Sequence, residues 1–269
     1  MVSFCLDPAR LRRLKPEISV LISCYQNRRF VEKKLAEIRS QTWFERAEFI
    51  FIETASPERE RELFAPFCAQ HPNCRLLATD TRHSLYGAWN LGWAAARAPL
   101  LCYSNMDDTM HPRLLESVVT AMQRHSWDAC SVLIARQPMN EQWNDWSPRR
   151  LQRLALSPRP GPFSAWRADV KEKIGMFDEQ FTAAGDKDFW SRLIDKKMKL
   201  GLIKKVLYLY TMSPEQLSKS DAGLARRAQD QRLLETKPYP VRWPVTLRQQ
   251  VYWLRHLFRV CPGWFTVAP

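Results

Sequence analysis

The chain has 269 residues, 45% hydrophobic and 26% charged, with a formal net charge of +13. That length and apolar content support a packed core, and the lack of any low-complexity tract excludes wholesale disorder. The N-terminal "MVSFCLDPARLRRLKPE" lacks the apolar centre of a secretion signal, and the most apolar window, "LYGAWNLGWAAARAPLLCY", holds Asn90, Arg97 and Pro99, so it reads as helix then strand and not as a bilayer span.

From the N-terminus, "DPARLRRL" predicts a short helix with Asp7 as its N-cap, ended by Pro16. "ISVLISCY" (18–25) is an apolar run long enough for a strand buried on both faces. "NRRFVEKKLAEIRSQTW" follows as an amphipathic helix, with Phe30, Leu35, Ile38 and Trp43 near helical spacing. "AEFIFIET" (47–54) gives a second buried strand, and "SPERERELFAPFCAQHP" a helix with Ser56 as N-cap and Pro57 at its first position. "CRLLAT", "SLYGAWNLGWAAARA" and "PLLCYS" read as strand, helix, strand. Residues 112–125 predict a helix and 129–135 a strand. Residues 136–165, rich in Pro and containing Trp143 and Trp146, predict a long functional loop with a short helix at "SPRRLQRLAL". "ADVKEKIG" resumes a helix closed by Gly175, "DKDFWSRLIDKKM" is another, "LGLIKKVLYLYTM" is a strand region, and the last 60 residues read as helical and proline-punctuated. Strand–helix alternation with short connections predicts an α/β fold, a doubly wound and largely parallel sheet. Ligands bind such sheets at the carboxyl ends of the strands, which puts Tyr25, Glu53 and the stretch Asn105–Asp108 on one rim.

The common nucleotide loops are missing: the chain has no GxxxxGK[ST] and no GxGxxG, nor any GxSxG or HExxH motif. Its seven cysteines form no CxxC pair, which argues for reduced core thiols in a cytosolic chain and against zinc. Carboxylates at strand ends remain as candidates, and "LCYSNMDDTMHP" aims a buried strand straight at two adjacent acids. Adjacent carboxylates repel unless a cation, a donor or water relieves them. In an extended segment Asn105 and Asp107 point the same way, and Mg²⁺ is commonly held by one or two carboxylates together with substrate phosphates. Alternatively, Asp108 caps the helix that begins near Pro112, or the acids form a turn.

Four ordered stretches resemble family 2 glycosyltransferases, over roughly residues 16–220. These are "PEISVLISCYQNRRFVEKKLAEIRSQTW", the acid-Asn-Gly-Ser-like turn Glu53-Thr54-Ala55-Ser56, "YGAWNLGWAAARAPLLCYSNMDD", and "GPFSAWRADVKEKIGMFDEQFTAAGDKDFWSRLI". The resemblance implies a GT-A fold over residues 1–220, with a nucleotide-sugar half (16–112), an acceptor half (113–220) and a helical basic extension (221–269). It implies an inverting transferase acting from a nucleoside-diphosphate sugar, UDP-linked, to a hydroxyl of a glycan or lipid-linked acceptor. Tyr25 and Glu53 would hold the nucleoside, Glu53 by accepting from a base N–H. Ser23, Ser56, Asn90, Asn105 and Met106 would join them in the nucleotide-sugar site. Asp107 would ligate Mg²⁺ or Mn²⁺ on the diphosphate, and Asp186 would be the general base, with Asp188 and Asp178 as rivals. Trp143, Trp146 and Trp166 would stack on acceptor sugars, or simply pack.

Departures from the family pattern are Glu53 for Asp, Asn105 for the first metal-motif acid, Gly185 for Glu and Trp89 for an Arg near the diphosphate. They keep open a nucleotide-sugar-binding module without catalysis; a nucleotidyltransferase is a further alternative. Residues 190–269 hold 15 Lys or Arg against 5 Asp or Glu, and "WPVTLRQQVYWLRHLFRVCPGWF" (243–265) shows an apolar stripe beside a basic one. Such a helix either lies on a membrane surface, making the protein peripheral on the cytoplasmic face, or docks on the domain. No recognition motif accompanies the charge, so nucleic acid is not an expected partner.

Overall fold

A computed structural model describes residues 3–4, 15–139, 145–157, 159–212 and 221–244. The expected helix at 7–14, Trp143 and nearly all of the 243–265 stripe lie outside the described residues. The strands are β1 (Ser3–Phe4), β2 (Ile18–Cys24), β3 (Ala47–Thr54), β4 (Cys74–Thr79), β5 (Leu100–Tyr103), β6 (Thr109–Met110), β7 (Ala129–Pro138), β8 (Ala155–Leu156), β9 (Ala165–Arg167) and β10 (Leu200–Met212). The helices are α1 (Val31–Arg39), α2 (Arg61–Gln70), α3 (Leu85–Ala95), α4 (Leu114–His125), α5 (Pro148–Leu151), α6 (Lys171–Ile174), α7 (Gly185–Asp195) and α8 (Asp221–Glu235).

The strands form one sheet in the order β1-β4-β3-β2-β5-β9-β7-β10-β6, with β8 paired to β7. Pairings β4–β3, β3–β2, β2–β5 and β7–β10 are parallel; β9 is antiparallel to both β5 and β7. β2 and β3 read as continuous apolar runs because both of their faces are covered. Val20, Ile22, Phe49 and Phe51 pack with α1, α2 and α4 through Val31, Ile38, Phe64 and Leu115. Leu21, Ile50 and Ile52 pack on the other side with Trp89 and Trp93 of α3 and Trp190 of α7. This is the mixed, mostly parallel α/β architecture expected. Among the described residues no helix is long and apolar enough to cross a membrane, and the five described cysteines are buried and form no disulfide with one another.

The main departure falls in the proline-rich stretch. β7 runs on to Pro138, a two-residue strand at Ala155–Leu156 folds back on it, and β9 wedges between β5 and β7. Three residues are too few to show a strand period, so β9 left no sequence signal. Its central residue corrects one expectation. Trp166 is fully buried and packs against Trp93, Tyr103, Phe177 and Phe189, so it is a core residue and not an acceptor contact. Trp166→Ala should therefore cost about 3–5 kcal/mol of stability in denaturant titrations, far above a surface tryptophan.

Candidate active site

Parallel strands that end together bring their following turns to one rim. There β5 gives way to Ser104–Asp108, and the two acids part company. Asp108 is fully buried. Its carboxylate accepts from the Asn105 side-chain amide (2.9 Å), the Tyr208 hydroxyl (2.9 Å) and the Thr211 N–H (2.8 Å). Burial, and then the charge of Asp107, push its carboxyl well above the usual range. Asp107 is half-buried, and apart from its own backbone N–H its carboxylate has no hydrogen-bond or ion-pair partner among the described residues. Burial raises it also, against its own backbone N–H and the pull of Lys34, Lys33 and Arg29.

Lys34 lies directly behind this turn. It is fully buried on α1, and its Nζ donates to the Asp108 carbonyl (2.9 Å), to Ser104 Oγ (3.2 Å) and to Glu37 Oε1 (2.8 Å). A buried cation relieves the repulsion that the two neighbouring acids would otherwise suffer. On the opposite flank, Thr211 Oγ1 donates to the Asp107 carbonyl (2.6 Å), so β10 also holds the turn.

Asp186 occupies the first turn of α7, where the helix dipole favours negative charge. Its Oδ1 accepts from the Lys187 N–H (2.8 Å). Its other oxygen lies against Gly161, where an added Cβ would come within 2.2 Å of it. The Gly161 carbonyl in turn accepts from the Tyr103 hydroxyl at the end of β5. The Tyr103 ring thus joins the two halves of the rim, and its hydroxyl feels both Asp186 and Asp108. Burial lifts the Asp186 carboxyl to about 6. The turn before α7 is fixed from α8: Asp230 accepts the N–H groups of Thr182, Ala183 and Ala184.

The rival acids are engaged elsewhere. Asp188 is fully buried and binds Arg192 (2.8 Å) and the Tyr239 hydroxyl. Asp178 binds Lys237 (2.6 Å) and the Gln180 N–H (3.0 Å), a structural turn. Gly185, where the family pattern has Glu, leaves room for the Tyr86 ring, which a Cβ would meet at 2.8 Å.

At the nucleoside end of the rim, Ser23 and Tyr25 are half-buried, and the Arg82 guanidinium lies 3.5 Å from the centre of the Tyr25 ring. Glu53 is fully buried, and its carboxylate accepts from both the Nε and Nη2 of Arg61 and from the Ser56 N–H (2.8 Å). Burial pushes Glu53 up, but the Arg61 fork and that N–H outweigh it and hold the carboxyl below its ordinary value. The expectation that Glu53 accepts directly from a base N–H is thereby corrected: Arg61 and not the carboxylate faces outward, being a third exposed. Ser56 Oγ accepts from Gln26 N–H (3.0 Å) and so ties the β2 and β3 turns together.

Other expected residues hold structure. The Asn90 amide grips the backbone of Phe177 in both directions (2.8 and 3.0 Å) and also meets Glu179. The Met106 side chain is buried in the core, and Trp89 stacks on Tyr103 at 4.0 Å. Trp146 is half-buried edge-on to His111. Sequence reasoning missed Lys34, Arg61, Gly161 and Asp230. Only Lys34 left a signal, a charged residue on the same helical stripe as Val31 and Ile38.

The sequence profile described as glycosyl transferase family 2 matches residues 19–189, and the chain belongs to that family. It is 22% identical over 208 residues to glycosyltransferase AglE of Haloferax volcanii, covering 74% of this chain and 68% of that one. An uncharacterised glycosyltransferase of Nostoc sp. is 25% identical over 107 residues, which span 40% of this chain and only 33% of the Nostoc protein. Among solved structures, the mannosyltransferase PcManGT of Pyrobaculum calidifontis, in complex with GDP-Man and Mn²⁺, superposes with a TM-score of 0.61 at 15% identity, covering 98% of this chain and 75% of that one. TarS of S. aureus superposes at 0.58 with 16% identity over 81% of this chain, which spans 42% of TarS, and its 1–349 fragment bound to UDP-GlcNAc at 0.60 with 12% identity over 94% of this chain and 76% of that one. These likenesses establish the GT-A fold.

The raised carboxyl of Asp186 gives a stability prediction. The folded protein holds this proton more tightly than the unfolded chain, so its contribution falls as pH rises from about 4 to about 6. Asp186→Asn removes the cost of burying the charge. It should stabilise the protein at pH 8 by on the order of 1–2 kcal/mol in denaturant titrations, and by less at pH 5.

Proposed function

We propose that this protein transfers a sugar, with inversion, from a UDP-linked donor to a hydroxyl of a glycan or lipid-linked acceptor. The observation that carries the reading is that two acids without a cation partner among the described residues, Asp107 and Asp186, belong to the two segments that Tyr103 links. The Asp107 carboxylate has no partner beyond its own backbone N–H among the described residues, and Asp186 is held against Gly161 with a carboxyl near 6. Family membership and relatives solved with UDP-GlcNAc or with GDP-Man and Mn²⁺ support a nucleotide-sugar donor.

The rim suits Mg²⁺ or Mn²⁺ bound mainly through substrate. Among the described residues no group of three or more His, Cys, Asp or Glu could hold a metal alone. A hard divalent ion often takes one or two carboxylates and completes its shell with phosphates and water. Asp107 would supply that carboxylate, and the Asn105 Nδ2, by donating to Asp108, leaves the amide oxygen as a candidate second ligand. Such an ion would neutralise charge on the departing diphosphate.

The residues do the rest. Tyr25 and Arg82 offer a face on which a nucleobase lies. Glu53 acts through Arg61, holding the guanidinium toward the base and ribose. Lys34 and Thr211 fix the backbone of the Asn105–Asp108 turn, so that Asp107 meets the diphosphate without reorganising. Asp186 takes the proton from the attacking hydroxyl, and a carboxyl near 6 is ionised at neutral pH yet basic enough to accept it. One displacement with one base inverts the anomeric centre and needs no second carboxylate as nucleophile.

Mass spectrometry of the protein incubated with a panel of nucleotide sugars and Mn²⁺ tests this. Hydrolysis or transfer from a UDP-sugar is expected; inertness toward every donor would refute it. With a donor in hand, kcat/KM should rise through about pH 6 and then level. Asp186→Ala should lower it by about 10²–10⁴-fold and abolish that rise.

A further inference from the structure

A second charged feature lies just beyond Asp107, at the carboxyl end of β7. A cavity of about 530 Å³ opens there, walled by Arg136, Arg149, Arg150 and Arg153 with Asp145 and Ser147. Four arginines and one acid line it, and the Asp145 carboxylate already accepts from the Ser147 N–H (2.9 Å). The Asp145 carbonyl accepts from Arg150 (2.6 Å), so the acid shapes the wall more than it neutralises it. The Nε of Arg136 is buried with no hydrogen-bond partner among the described residues. Crowding of like charges is costly, and an oxyanion entering the cavity relieves it.

The wall is also wired to the transfer site. Arg150 donates to Gln137 Oε1 (2.8 Å), Gln137 Nε2 donates to Thr211 Oγ1 (3.0 Å), and Thr211 Oγ1 donates to the Asp107 carbonyl (2.6 Å). Three hydrogen bonds therefore separate an arginine of the cavity from the backbone that carries the proposed metal acid. A single carboxylate is satisfied by one or two guanidinium forks, whereas a phosphate offers more oxygens and more charge.

We propose that this cavity binds a phosphate group, and that the group belongs to the acceptor. The second clause rests on the proposed glycosyl transfer; the anion site itself rests only on the arginines. The phosphate of a lipid carrier and that of a soluble or polymeric acceptor share this chemistry.

Calorimetric titration with inorganic phosphate and with dodecyl phosphate, without metal, separates them. Wild-type protein should bind at least one probe, more weakly as salt is added. Arg149→Ala/Arg153→Ala, at two exposed positions, should weaken that binding by about tenfold or more with an unchanged unfolding midpoint. Arg149→Lys/Arg153→Lys should recover part of the loss. Binding of dodecyl phosphate alone supports a lipid-linked acceptor, and equal binding of both probes supports a soluble or polymeric one. No binding of either probe, or affinity unchanged in the alanine variant, overturns the site. A parallel titration of wild type with UDP and Mn²⁺ reads the donor side independently. Its failure would sink the transferase reading while leaving the anion site standing.

Discussion

One buried carboxylate organises this rim. Asp108 accepts from Asn105, Tyr208 and Thr211, and so clamps the end of β5 to the end of β10 across the intervening strands. A backbone turned inward at one residue turns outward at the next, so the clamp on Asp108 is what presents Asp107 to the cleft. The same arrangement resolves how two adjacent acids coexist. One is enclosed by donors and the other is half-buried without a cation partner among the described residues, with the buried ammonium of Lys34 behind the turn.

The same division recurs among the other acids. Asp188 and Asp178 are paired with cations, Glu53 is enclosed by Arg61, and Asp230 caps the turn before α7. Each of these partners lies on a different element from the chemistry it serves, or positions a neighbour. Asp107 and Asp186 have no cation partner among the described residues. Gly161 adds a steric condition, because any side chain there would occupy the place of the Asp186 carboxylate. A cationic cavity lies at the carboxyl end of β7.

The fold was legible because its signals are local. β2, β3 and α4 announce themselves by apolar runs and helical spacing, and the strand-end rule then pointed to Tyr25, Glu53 and the Asn105–Asp108 stretch, whereas Asp186 came only from the family resemblance. What stayed hidden depends on contacts between distant segments. Nothing near Glu53 says that Arg61 will fold back on it from the next helix. Nothing in "GPFSAWRA" says that Trp166 will be sealed into the core by β5 and β7. The family resemblance places Asn90 in the nucleotide-sugar site, yet it grips the Phe177 backbone eighty-seven residues away. Polar residues carry no periodicity, so their partners appear only once the chain is folded.

The central claim is that adjacent acids have opposite duties, Asp108 in structure and Asp107 in ligand binding. Calorimetry of UDP with and without Mn²⁺ on Asp107→Ala, alongside its denaturant midpoint, tests it most directly. The account predicts a midpoint at or above that of wild type with Mn²⁺-dependent UDP binding gone, whereas Asp108→Ala should lose about 3 kcal/mol or more of stability. Mn²⁺-dependent UDP binding that survives in Asp107→Ala would contradict it.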